Sequence, residues 1–265
     1  MSDIAQHIAV SQRVQIEDLD WDLARKHGLS PTEVESLQFF ADIESQTVYY
    51  FLEVAKLQVV RDPELLTFLT MWNYEEYFHS HAITRLMQEC GVEIETATER
   101  STKVRAGARF KAKLEDFLQT MIAKVMPKRF VALWMFWGAL QECLTMQAYE
   151  EGIRSTQNPV LAEMFRRIAK QEARHVAFYA TQARERLGAS KRAQVLARFA
   201  LRKAWGPVGS SIMDEDEVYH VMNHLMGGPD GREEVRKIDE HIARKPGLAG
   251  LTIVQDSLSR RGIAA

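Results

Sequence analysis

The sequence predicts an all-α protein: four long helices forming a bundle with a crossover connection, followed by additional shorter helices. Three observations predict this. Glycine and proline together make 21 of 265 residues, about 8% against an average of about 12%, so turns are few and elements are long. No stretch shows the sustained apolar–polar alternation of a half-buried strand. Four of the seven prolines, Pro31, Pro63, Pro127 and Pro159, open long turn-free runs, three of them directly after a capping residue, which marks helix starts rather than sheet edges.

The first bundle helix is expected over 31–61, because Ser30-Pro31-Thr32-Glu33 is a capping box with proline at the first helical position. Asp62-Pro63-Glu64 repeats the cap-then-proline start and opens 63–90, where Leu65, Phe68, Leu69 and Trp72 fall at helical spacing. Pro127 opens 127–154 behind the poor cap Met126, and Asn158-Pro159 opens 159–187. Gly91 and Gly188 stand just past the second and fourth helices, where a terminating glycine is expected. The links around Arg61 and Gln157 are short, and short links force antiparallel hairpins. Residues 91–126 form the crossover, with a helix of their own from about Gly107. Beyond Gly188, helices are expected over 190–204, 214–226, 231–244 and 248–260, punctuated by residues such as Gly206, Pro207, Pro229 and Pro246. No linker composition interrupts the chain. A single domain over 1–265 follows, with its core at 31–188 and accessory helices at 189–265.

Composition narrows the function classes. Hydrophobic residues are 46%, charged residues 26% and the net charge is −2, which gives no footprint for general nucleic-acid binding. Two cysteines, Cys90 and Cys143, make no disulfide framework. The N-terminal stretch carries Asp3, Arg13, Glu17, Asp18 and Asp20 and no apolar signal core. The longest apolar run, Phe130 to Leu140, is bounded by Arg129 and Gln141 and falls short of the roughly 20 residues a spanning helix needs. The expectation is a cytoplasmic protein without a membrane span.

The chemistry lies in a repeated carboxylate pattern. The first hairpin holds Glu44 and then Glu76-Tyr77-Phe78-His79; the second holds Glu142 and then Glu172-Ala173-Arg174-His175. Glu-x-x-His places a carboxylate and an imidazole on one helix face, since i and i+3 are neighbours. Glu142 lies 15 residues before Gln157 and Glu172 lies 15 after it, so the two face each other roughly 22 Å from the turn. Glu44 lies 18 residues before Asp62 and Glu76 lies 14 after it, a mismatch of about one helical turn that tilt or turn position can absorb. Together the hairpins supply four Glu and two His at one level of a bundle, the ligand set of a di-iron or di-manganese carboxylate centre. Carboxylates bridge metals, and imidazole suits iron over calcium or magnesium. The alternative is a metal-free bundle with buried Glu–His hydrogen bonds.

These residues resemble a known family. Trp72-x-x-Glu75-Glu76-x-x-His79, Gln141-Glu142-x-x-Thr145, Glu172-x-Arg174-His175 and Glu44-x-x-x-x-Tyr49 are similar to the motifs of soluble acyl-acyl-carrier-protein desaturases of the stearoyl type, which are ferritin-like di-iron oxidases. The resemblance covers about residues 40–185. It departs at Gln171, where that family has Asp, in a shorter first hairpin, and in everything after Gly188. It implies a ferritin-like four-helix bundle. It also implies two iron ions, with manganese or a mixed pair as the alternative, held by Glu44, Glu76, His79, Glu142, Glu172 and His175. O₂ is the implied co-substrate, and desaturation at an unactivated C–H bond is the implied outcome. Hydroxylation, N-oxygenation and C–C cleavage run on the same scaffold. The implied partners are an acyl carrier protein or a small apolar substrate, and a homodimer is the expected assembly. The chain has no G-x-G-x-x-G and no P-loop, and two cysteines hold no iron–sulfur cluster; electrons must therefore come from an external ferredoxin-type donor. A reading of a different class is an iron-storage or ferroxidase protein.

Several residues carry two readings. The resemblance gives Thr145 a part in proton delivery during oxygen activation; otherwise it is a helix hydroxyl bonded to the Gln141 carbonyl. Trp72 is core packing or part of an electron route. His81, two residues from His79, points away from the ligand face. His220 and His224, with Glu217 nearby, read as a solvated face before a surface metal site. Cys143 reads as a small buried residue. Two basic clusters stand out: Arg100, Lys103, Arg105, Arg109, Lys111 and Lys113, then Arg184, Arg186, Lys191, Arg192, Arg198, Arg202 and Lys203. Either is a solvated face or a dock for an acidic carrier protein.

Overall fold

The computed structural model describes residues 3–56, 61–94, 120–210 and 213–263, and these contain helices and no strand. The chain is all-α. It divides into two compact units, Met1–Lys103 with Tyr149–Arg174, and Val104–Ala148 with His175–Ala265. The expected crossover helix from Gly107 and the basic run from Arg100 to Lys113 lie outside the described residues. No helix among the described residues is long and apolar enough to cross a membrane.

The first unit contains α1 (Asp3–Val10), α2 (Trp21–His27), α3 (Pro31–Lys56) and α4 (Pro63–Glu89), with parts of α5 (Pro127–Ser155) and α6 (Pro159–Gly188). The capping box forms as expected. Ser30 N–H and Oγ–H donate to Glu33 Oε2, both at 2.7 Å, and Glu33 N–H returns to Ser30 Oγ at 3.3 Å. Asp62 accepts from Glu64 N–H at 3.0 Å and so starts α4. Asn158 accepts from Val160 N–H at 3.0 Å, while its amide donates to Gly28 O at 2.9 Å, which ties the start of α6 to the end of α2. Gly91 ends α4 at φ 77, and Val92 N–H returns to Met87 O at 2.9 Å, a left-handed stop that costs glycine no steric penalty.

α3 and α4 form an antiparallel hairpin. Tyr50 meets Trp72 edge-on with ring centroids 6.0 Å apart, and Ser80 Oγ–H donates to Ala41 O at 2.9 Å. Nine steps back on α3 thus match eight forward on α4. The pairing is centred near residue 61 rather than Asp62, which brings Glu44 to within about two residues of level with Glu76 and removes at least half of the anticipated mismatch. Phe40, Tyr149 and Phe165 pack as a row of tilted rings in the core, with centroids 4.7 Å and 5.0 Å apart along the row. A Cβ at Gly152 would lie 2.5 Å from Phe165 Cε2, so an interior helix glycine admits that ring.

Two N-terminal helices, α1 and α2, go beyond the expectation. α2 carries its own signals: Asp20 accepts from Leu23 N–H at 2.9 Å, and Gly28 closes the helix at φ 66.

The second unit contains the remaining parts of α5 and α6, then α7 (Lys191–Ala204), α8 (Glu215–Met226), α9 (Pro229–Ala243) and α10 (Ile253–Ser259). Gly138 lies against Tyr179, where a Cβ would come within 2.6 Å of the ring. Gly188 is the last residue of α6 rather than a stop beyond it. Ser190 separates the helices by accepting from Ala193 N–H at 3.2 Å and starting α7. α9 begins at Pro229 rather than 231, because proline is accepted at the first helical position. α10 begins at Ile253 rather than 248. Its cap comes from α9: Asp239 accepts from Val254 N–H at 3.0 Å and from Gln255 N–H at 2.9 Å.

Candidate metal centre

In the first unit, α3 supplies Glu44, α4 supplies Glu76 and His79, and α6 supplies Glu172. All four are buried, and one donor atom from each lies within 4.8 Å of the others. Such a set can hold a metal ion. Three carboxylates and an imidazole match the donor preferences of iron or manganese.

The His79 ring is oriented within this set. Its Nδ1 stands 3.1 Å from Glu76 Oε2 and 3.1 Å from Glu172 Oε1. Its Nε2 stands 2.7 Å from Gln171 Oε1 on the opposite side. Burial would lower the His79 pKa, but hydrogen bonds to Glu172 and Glu76, with their charges, push it up to about 10. Burial, followed by the charge of Glu76, holds the Glu44 carboxyl well above the usual carboxylate range. Both shifts have one cause: buried carboxylates crowd the cluster, so it favours positive charge, which protons or a metal ion can supply.

Tyr149 is the residue that motif reading missed. Its hydroxyl donates to Glu44 Oε1, and this bond opposes the upward shift on Glu44. Burial, then the Glu44 charge, raises the tyrosine itself well above its ordinary value. Its only sequence signal is position, seven residues after Glu142, two helical turns further on α5.

Glu75 also lies in the motif region, yet its environment differs from that of Glu76. It is fully buried and its Oε1 accepts from Arg174 Nη2 at 2.9 Å and from Gln12 N–H at 3.0 Å. A cation of the protein already answers its charge.

In the second unit, Glu142 on α5 and His175 on α6 are buried and meet, with Glu142 Oε2 3.6 Å from His175 Nδ1. Thr145 is buried one turn beyond Glu142 on α5, and Gln141 donates to Gly206 O at 3.1 Å. Trp72, in the first unit, is buried against Tyr50. His81, His220 and His224 are exposed. Cys143 is half-buried and lines a shallow apolar hollow with Phe136, Leu140 and Val176, bordered by His241 and Lys245.

No protein-family model, curated protein or solved structure matches the chain.

Proposed function

We propose that the protein is an O₂-dependent non-haem di-iron oxidase on a ferritin-like four-helix bundle, with Glu44, Glu76, His79, Glu142, Glu172 and His175 as metal ligands. The observation that carries this is the buried convergence of Glu44, Glu76, His79 and Glu172 with donor atoms within 4.8 Å of one another. The motif resemblance to acyl-carrier-protein desaturases supports the remainder.

Held by these residues, a reduced iron pair would supply the electrons for O₂ and the oxidising power that attack on an unactivated C–H bond needs. The chain's own residues do the rest. Glu44, Glu76 and Glu172 gather negative charge in a site the core keeps dry. His79 presents Nδ1 to that site. Tyr149 holds one oxygen of Glu44, leaving the other to bind. Thr145 would hold a proton near Glu142. Desaturation of an acyl chain removes two hydrogens; with two electrons from an external ferredoxin-type donor and two protons, O₂ leaves as two waters.

The substrate is taken to be an acyl chain delivered on an acidic carrier protein. α7 suits such a partner, since Val195 and Phe199 are exposed at 70% and 64% on a face that also displays exposed Lys191, Arg192, Arg202 and Lys203. A basic rim around apolar anchors matches an acidic protein surface. A homodimer has a candidate face in the exposed Val48, Tyr49 and Leu52 of α3 with Tyr74 and Tyr77 of α4.

Metal analysis after anaerobic Fe²⁺ reconstitution tests the centre, and reductant-dependent O₂ consumption with an acyl carrier substrate tests the reaction. About two iron per chain and substrate-stimulated O₂ uptake are expected. Fewer than about one iron per chain overturns the reading. Iron oxidation without product, in a many-subunit shell, transfers it to the ferroxidase class.

A further inference from the structure

The Gln171 amide bridges His79 and the N-terminal segment, and the logic of donors and acceptors fixes its orientation. A backbone carbonyl only accepts. Gln171 lies 2.9 Å from Gln12 O, so its NH₂ must face that carbonyl. Its oxygen must therefore face His79 Nε2, at 2.7 Å. An amide oxygen only accepts, so Nε2 carries the proton and donates. Nδ1 is then the nitrogen turned toward Glu76 and Glu172, the one a bound metal would take.

The Gln12 carbonyl is itself held in place. Gln12 N–H donates to Glu75 Oε1 at 3.0 Å, and Arg174 Nη2 donates to the same oxygen at 2.9 Å. Further along the segment, Arg167 Nη1 donates to Gln15 O at 2.8 Å and Arg167 Nη2 to Asp18 Oδ2 at 2.9 Å. The segment is thus fastened to α4 and α6, the helices that carry Glu76, His79 and Glu172.

We propose that the N-terminal segment around Gln12 is a working part of the metal centre: it orients the Gln171 amide, which sets His79 as an Nδ1 ligand. Gln171 is a positioning residue. It also tunes the ligand. A carboxylate partner makes a ligating imidazole more basic, whereas a neutral amide fixes its orientation without that push. An amide is required here because only a group with both donor and acceptor ends can satisfy Gln12 O and His79 Nε2–H together. The inference rests on the metal reading of Glu44, Glu76, His79 and Glu172.

The test uses the full-length protein with Gln171→Met, Gln171→Asn and Gln171→Glu. Co²⁺ binding is followed by its d–d absorption, and hydrogen exchange is read at the Gln12 amide. Gln171→Met removes both ends of the bridge and should weaken Co²⁺ binding roughly 10–100-fold. Gln171→Asn, one methylene too short to span the gap, should do the same and stands in if the methionine variant does not fold. Gln171→Glu restores an acceptor for His79 but opposes the Gln12 carbonyl. It should recover affinity to within a few-fold of wild type while Gln12 exchange stays fast, as in the other variants. Met or Asn variants that bind Co²⁺ like wild type, a Glu variant as weak as Met, or unchanged Gln12 exchange each overturn the inference alone. A wild type that takes up no Co²⁺ overturns this inference and the metal reading together.

Discussion

Asp239 in α9 and Glu44 in α3 are both carboxylates with 2% exposure, yet their surroundings differ. Asp239 accepts from two backbone N–H groups and the Gln255 side chain, all within 3.1 Å, and so caps α10. Burial raises its pKa, and those N–H groups pull it back. Glu44 instead faces Glu76 and Glu172, whose charges add to the effect of burial, while the hydrogen bond from Tyr149 pulls the other way. Glu75, one residue from Glu76, resembles Asp239 in kind because Arg174 and a backbone N–H answer it. A buried carboxylate satisfied by its own chain is architecture. One surrounded by its own kind is a place for something to bind.

Removing a satisfied carboxylate should destabilise the protein. Glu75→Ala leaves the Arg174 guanidinium, one quarter exposed, without its main counter-charge and Gln12 N–H without its acceptor. The expected loss is about 3 kcal/mol, the low end for breaking a buried pair because Arg174 reaches water. Asp239→Ala strips the cap from α10 and should cost about 2 kcal/mol, within the range for lost caps and charge-assisted hydrogen bonds. Chemical denaturation of each variant measures both. A loss under about 0.5 kcal/mol in either would erase the distinction.

Removing a cluster carboxylate should act in the opposite direction. Glu44→Gln keeps an oxygen to accept from Tyr149 and removes an ionisable group whose carboxyl burial and its neighbours hold well above the usual range. Metal-free stability should stay level or rise by about 1 kcal/mol, while iron bound per chain falls. A destabilised metal-free Glu44→Gln would place Glu44 with Asp239 as structure.

The same contrast explains what the sequence made legible. Helix starts at Ser30, Asp62 and Asn158 were readable because their caps are local, with donor and acceptor within three residues. The start of α10 was not, because its cap, Asp239, sits 15 residues upstream on another helix. Glu44 could be paired with Glu76 and His79 from helix periodicity and hairpin length, whereas Glu172, on the other hairpin, joined them only through the expected packing of the two hairpins. Tyr149 could not, since its meeting with Glu44 spans 105 residues and needs the register of α5 against α3. Gln171 was visible as a departure from a motif, but its reason, the Gln12 carbonyl, lies 159 residues away. Gly138 and Gly152 were overlooked, although a glycine inside a long helix is itself a signal of close approach.

The smallest expected effect is a difference in pH dependence. His79 has a folded pKa of about 10 against 6.5 for the free side chain. Because the folded value is the higher, the stabilisation from protonating His79 is fully present below about pH 6.5 and is lost as pH rises through about 10. The raised Glu44 carboxyl acts with the same sign, since folding retains a proton there that the unfolded chain releases above about 4.5. Metal-free protein should therefore lose thermal stability steadily between pH 6.5 and 9. With Mn²⁺ bound, Nδ1 of His79 and the carboxylates are deprotonated by the metal, so folding no longer takes up those protons and the slope should flatten. Calorimetric melts of chelator-treated and Mn²⁺-loaded protein across that range compare the two directly. Parallel curves would mean that the metal does not displace these protons, and that this cluster is satisfied in the same sense as Asp239.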